Sequence, residues 1–189
     1  MQDFFEVVTT RRTVRSYTAD PVSRQEIQEL IDLAVLAPTA MNAQPWAFTV
    51  VTDPAVMGRL DAVVVETLRT PAVLERIPSE RLRQMIGDPA FTIFYQAPAL
   101  IAIHGDSRVP AAMIDCQLAA ENLFLAAHAR GLGSCYMGFL TMAADHEEVR
   151  RLLRIPEGNR LMAAAVVGRP AALPDGPPRR NPPRIEWVG

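Results

Sequence analysis

The chain has 189 residues, 49% of them hydrophobic, with 19 basic and 21 acidic side chains and a formal net charge of −2. That length suits one compact domain able to bury most of its apolar surface, and the weakly acidic balance excludes a general nucleic-acid binder. The two cysteines form no CxxC pattern, the N-terminus has no basic stretch leading into an apolar one, and no apolar run nears the roughly 18 residues of a membrane span, so we expect a soluble cytoplasmic protein without disulfides.

In chain order, residues 3–10 are predicted to form a short helix with Phe4, Val7 and Val8 on one side. It delivers the chain to Arg11-Arg12-Thr13-Val14-Arg15, where planar guanidinium donors and a hydroxyl match the oxygens of an anion. A solvated basic turn has the same composition, and this segment alone does not separate the two. Ser23 and Glu26 then form a capping box ahead of Ile27, Leu30, Ile31, Ala34 and Val35, which repeat at helical spacing up to Pro38.

Ala37 to Trp46 leaves that helix through a loop of small residues, a hydroxyl and two amides between prolines. It suits the imide-like edge of a heterocycle, or equally a polar loop satisfying its own backbone. Trp46–Thr52 reads as a strand, and Asp53-Pro54 opens a helix with Asp as N-cap and Pro in the first turn. Residues 70–95 are divided by Pro71, Pro78 and Pro89, with a short helix predicted over Ser79–Ile86.

Ala99–His104 reads as a buried strand, and residues 111–130 as a long helix that is apolar on nearly every side, the pattern of an element buried between subunits. Gly131 caps it. Ser134–Met137 is predicted as a short strand, Asp145–Leu153 as a helix and Leu161–Val167 as a strongly apolar strand. Residues 169–189 hold six prolines and form an extension with little to bury alone. The alternation implies one layered α+β or α/β domain over 1–189 around a small sheet.

Asp115 and Glu121, on the long helix, read as capping or interface groups rather than catalytic acids. His104, His128 and His146 are far apart, so no metal site is expected. Cys135 reads as a small buried thiol. Phe91, Phe94 and Tyr95 fit a lid on a substrate or equally packing against the next strand.

RRTVRSY, the later APTAMNAQPW, the glycine-rich GLGSCYMG, and the Gly168-Arg169-Pro170 and Arg180-Asn181-Pro182 segments together resemble the nitroreductase family of FMN-dependent oxidoreductases over almost the whole length. The resemblance implies an α+β three-layer fold with a small, mostly antiparallel sheet flanked by helices. It further implies a homodimer with two FMN sites at the interface and a C-terminal tail extending over the partner subunit.

It assigns Arg11, Arg12 and Thr13 to the FMN phosphate and ribityl chain, Arg15 to the N1/O2 side of the flavin, and Arg180 to the phosphate. It assigns Pro38, Thr39, Ala40, Asn42 and Gln44 to contacts made from the other subunit. Met137 and Gly138 match the loop whose backbone N–H points at N5. Arg69 is a candidate for the O4 side.

Thr13 stands where relatives often carry serine, and Thr39-Ala40-Met41 where they carry a serine-rich loop. The implied reaction is ping-pong hydride transfer from NAD(P)H through FMN to a nitroaromatic, quinone or similar acceptor. Reductive dehalogenation, azole dehydrogenation, flavin breakdown and a non-catalytic FMN-binding dimer are the alternatives.

Overall fold

Small and β-branched residues make β2 (Ala99–Asp106) and β4 (Asn159–Gly168) the central pair of a four-stranded antiparallel sheet. β1 (Trp46–Val51) and β3 (Gly133–Tyr136) complete it in the order β1-β2-β4-β3. The computed structural model describes residues 3–174, 176–177 and 180–189; Met1 and Gln2 of the N-terminal segment read above, and Asp175, Pro178 and Arg179 of the C-terminal extension, lie outside them.

Both faces of the sheet are covered, which is why its central strands are apolar without alternation. Leu100, Ala102, Ala164 and Val166 face α3 (Pro54–Leu68), α7 (Gly138–Met142) and α8 (Glu147–Leu152), through Leu60, Val64, Leu140 and Val149. Ala99, Ile101, Ala163 and Ala165 face α2 (Arg24–Ala34) and α6 (Ala112–Ala129), through Leu30, Ala119, Leu123 and Ala127. The expected three-layer α+β architecture is the one observed.

The register passes from Ile103↔Ala163 to His104↔Leu161, so Met162 is an extra residue in a β-bulge. α1 (Phe4–Thr10) precedes the arginines, and α4 (Pro71–Leu74) and α5 (Glu80–Gly87) occupy the proline-divided stretch.

Helix ends follow local hydrogen-bond supply. Asp53 accepts the Ala55 N–H, and Gly131, at φ 73°, lets the Leu132 N–H reach the Ala127 carbonyl at 2.8 Å. Three boundaries differ from expectation. α2 stops at Ala34, and its backbone tightens into turns before Pro38.

α8 starts at Glu147 because the His146 ring accepts the Glu148 N–H, while Asp145 pairs with Arg160 at 2.7 Å. β3 ends at Tyr136, and the unpredicted α7 follows, too short to show a period of its own. On α6, Met113, Ile114 and Leu118 form an uncovered apolar stripe.

The capping box of α2 also reaches the sheet. The Ser23 N–H and hydroxyl bind Glu26, as does Arg169 at 2.8 Å, and together they hold its carboxyl at about 2, below the ordinary 4.5. A folded value below the unfolded one means that the contribution is complete above about pH 4.5 and is lost as pH falls toward 2. Since the pair is partly solvated, Glu26→Gln is expected to cost about 1 kcal/mol in urea unfolding at pH 7. By pH 3 the difference from wild type should shrink to about half or less.

Candidate cofactor site

The arginine segment is an extended ribbon held on both sides. Thr13 bridges Ser134 of β3 and the Val14 N–H donates to the Ser134 carbonyl at 3.0 Å. Tyr17 bridges Pro170, and the Thr18 N–H donates to the Arg169 carbonyl at 2.9 Å. Val14 is buried in a socket that exists because residue 133 is glycine: a Cβ there would lie 2.8 Å from the Val14 side chain. The Tyr17 hydroxyl donates to the Val14 carbonyl at 2.7 Å, and burial raises its pKa, so it stays a neutral donor.

Arg11, Arg12, Thr13, Arg15 and Arg180 line one cleft of 290 Å³, together with Pro174 and Gly176. Five residues that sequence reasoning grouped are thus adjacent in space. The guanidinium groups are held differently. Arg12 donates to the carbonyls of Thr9 (2.9 Å), Arg11 (2.7 Å) and Gly176 (3.2 Å). Arg11 lies over the Phe124 ring and Arg15 over the Tyr95 ring, each 5.9 Å from the centroid. None of these four arginines forms an ion pair with a described acid.

Arg15 also lines a second cavity of 270 Å³, walled by Ile93, Tyr95, Cys135, Met137, Gly138 and Phe139 among others. It is the one residue common to both. The Met137 N–H donates to the Ala164 carbonyl at 2.8 Å, so of the two predicted backbone donors Met137 is already engaged and Gly138 heads α7.

Pro38, Thr39, Ala40, Asn42 and Gln44 line neither cavity. Their loop makes a single 3₁₀ turn over Ala40–Asn42, with Met41, Asn42 and Gln44 in the left-handed region (φ 54°, 54° and 45°). Such residues cost of order 1–3 kcal/mol each. The loop is braced by the Ala40 N–H on Asp115 Oδ1 (3.2 Å), the Gln44 N–H on Thr39 Oγ1 (3.4 Å) and Gln44 Nε2 on Asn42 Oδ1 (2.9 Å). At its tip Met41 is 98% exposed.

The nitroreductase family profile matches residues 8–169. The chain belongs to the nitroreductase family. It is 30% identical over 187 residues, 97% of this chain and 85% of the relative, to a Methanothermobacter thermautotrophicus protein provisionally named an NADH dehydrogenase/NAD(P)H nitroreductase. It is 27% identical over 186 residues, 96% of this chain and 94% of the relative, to an iodotyrosine deiodinase of Thermotoga neapolitana. The crystal structure of a Bacteroides fragilis nitroreductase with bound FMN superposes with a TM-score of 0.81 at 23% identity, covering 98% of this chain and all of that one.

Other residues of this nitroreductase-family chain take structural places. Arg69 donates to the carbonyls of Ile86 (2.9 Å) and Asp88 (2.7 Å) and lines neither cavity with Arg15, so it braces the 80–88 region. Burial pushes the Cys135 thiol up in pKa despite nearby Arg15, and the Cys116 thiol up to about 12, so both stay protonated and weakly nucleophilic at neutral pH. His104 sits 3.0 Å from Asn159 and 3.4 Å from Thr49, and His128 2.8 Å from Thr10.

Asp115 is no helix cap: one oxygen braces the Ala40 loop, and Oδ2 is buried without a partner among the described residues. Phe91 packs edge-on against Phe139 at 5.8 Å, whereas Tyr95 faces Arg15. Phe139 and Met142 line the second cavity and escaped sequence reasoning, because α7 carries no periodic signal.

Proposed function

We propose that the chain is an FMN-dependent oxidoreductase that takes reducing equivalents from NAD(P)H and passes them, in a second half-reaction, to a nitroaromatic, quinone or similar acceptor. One observation carries this reading: Arg15 joins a cleft of four arginines, without acidic partners among the described residues, to an apolar, aromatic-walled cavity. That pairing fits a ligand with a dianionic end and a flat heterocyclic end. FMN has this shape, and the Bacteroides fragilis structure of the same fold carries it.

When bound, FMN supplies the hydride chemistry, and the protein orients it and shapes its electrostatics. Arg11, Arg12, Thr13 and Arg180 hold the phosphate end through charge-assisted hydrogen bonds. Arg15 places a fixed positive charge where negative charge develops on reduction, and the Gly138 N–H is the backbone donor left for the ring edge. No nucleophile is required of the protein, in keeping with two protonated thiols.

The dimer belongs to the same reading. Pro38, Thr39, Ala40, Asn42 and Gln44 line neither cavity with Arg15 in their own subunit, and the strained, exposed loop that bears them is suited to complete the partner's site. The Met113, Ile114 and Leu118 stripe on α6 supplies an apolar contact surface, and the C-terminal extension, which lines its own subunit's cleft through Pro174, Gly176 and Arg180, continues past Arg180 over the partner.

The Thermotoga neapolitana relative's name favours a second reading, reductive dehalogenation at the same site. An absorbance spectrum of the purified protein, followed by anaerobic titration with NADH and with NADPH, tests the proposal. A flavin band bleached by either nucleotide is expected. A protein that stays colourless on addition of FMN overturns it, and one whose flavin neither nucleotide bleaches removes the NAD(P)H step.

A further inference from the structure

The segment from Thr92 to Gln96 is a wall with two faces. Ile93 and Tyr95 line the cavity beside Arg15, whereas Thr92, Phe94 and Gln96 line a separate cavity of 560 Å³. This rear cavity has no lining residue in common with either cavity that contains Arg15. Its volume falls within the roughly 300–1,000 Å³ of small-molecule sites.

Two features give it the character of a binding site. The first is Gly58, which lies inside the 15-residue α3 and lines the cavity. Glycine in a helix interior costs about 1 kcal/mol relative to alanine. Here neither a turn nor a tight contact requires it, since a Cβ at this position would meet nothing within 4 Å. Its consequence is open space above the helix.

The second feature is the lining itself. Val22, Met57, Phe94 and Pro98 make apolar walls, and Asp61 is the one carboxylate among them. Asp61 Oδ1 accepts the Ile93 N–H at 2.7 Å. A carboxylate has about four lone-pair sites, so acceptor capacity remains for a ligand. Thr52, Thr92 and Gln96 add neutral polar groups to the lining, and Asp61 is its one charged acceptor, so the apolar walls suit a ring that bears a hydrogen-bond donor.

We propose that this rear cavity binds a phenol, its ring between Met57 and Phe94 and its hydroxyl donating to Asp61. Calorimetric titration of the full-length protein at pH 7 with phenol, and with toluene as the ring lacking the donor, tests this. Phenol should bind saturably and at least about 10-fold more tightly than toluene, the factor expected for a hydrogen bond to a charged acceptor.

Gly58→Phe should abolish the binding by filling the cavity. Gly58→Ala, which adds one methyl group and improves helix propensity, should bind phenol and melt no lower than wild type. The proposal is overturned if wild type shows no saturable phenol binding, if toluene binds equally well, or if Gly58→Phe binds as wild type does. It is also overturned if phenol fails to bind and Gly58→Phe changes the sedimentation of the protein, since the cavity would then be the seat of a second copy.

Discussion

Arg15→Ala is expected to slow anaerobic reduction of the bound flavin by NADH or NADPH about 100-fold, with flavin affinity falling much less. The expectation follows from position. Arg11, Arg12 and Arg180 line the arginine cleft and do not reach the cavity walled by Tyr95 and Phe139, which Arg15 alone of the four borders. A fixed charge aimed at developing negative charge in a site that excludes water is worth about 3 kcal/mol, or two powers of ten in rate. The Tyr95 ring beneath the guanidinium keeps it oriented.

Arg12→Ala should show the opposite pattern, with weaker flavin retention and an unchanged reduction rate in the flavin that remains. Stopped-flow reduction and a midpoint potential measured on both variants separate the two roles. If Arg15→Ala matches wild type in both quantities, the electrostatic assignment is wrong.

Gly133→Ala should damage stability and flavin retention together. The new methyl carbon would sit 2.8–2.9 Å from three carbons of Val14, including its Cβ, so relief requires the backbone of one strand to move. Overpacking of this kind costs about 1–3 kcal/mol, which for a domain of this size lowers the melting temperature by about 3–10 °C. The ribbon that moves carries Thr13 and Arg15, so the cleft should open as the socket closes.

Val14→Ala alone leaves a hole worth about 2 kcal/mol. Combined with Gly133→Ala it removes the contacts to the two Cγ carbons and leaves the 2.8 Å Cβ–Cβ approach, so the double variant should lose somewhat less than the two single variants summed. Urea unfolding of the four proteins measures that non-additivity. Additive losses would show that the Val14–Gly133 contact does not set the position of the arginine ribbon.

Much of the architecture was written locally. The Ser23–Glu26 box, Asp53-Pro54 and Gly131 each satisfy backbone groups within a few residues, so the ends they mark were legible. The apolar runs of β2 and β4 needed only their own composition. The two α-helical turns before Ser79 and after Met137 were not legible, because four or five residues cannot display a helical period.

The helix predicted from Asp145 starts two residues later, because Asp145 pairs with Arg160, 15 residues away, and His146 caps the helix. Arg69 looked available for a ligand until the carbonyls of Ile86 and Asp88 took up its guanidinium.

By itself the sequence determined that this protein has a concentrated arginine and hydroxyl segment, a capped helix after it, and the motifs of the nitroreductase family. Those features depend on residue type and short spacing alone. Only the tertiary structure decided that Val14 turns inward against Gly133, that Arg15 joins two cavities, and that Ile93 and Tyr95 face one side of a wall while Phe94 faces the other. Thr13 and Ser134 are 121 positions apart, and a pairing over that distance is set by which apolar surfaces the folded sheet and helices bury together.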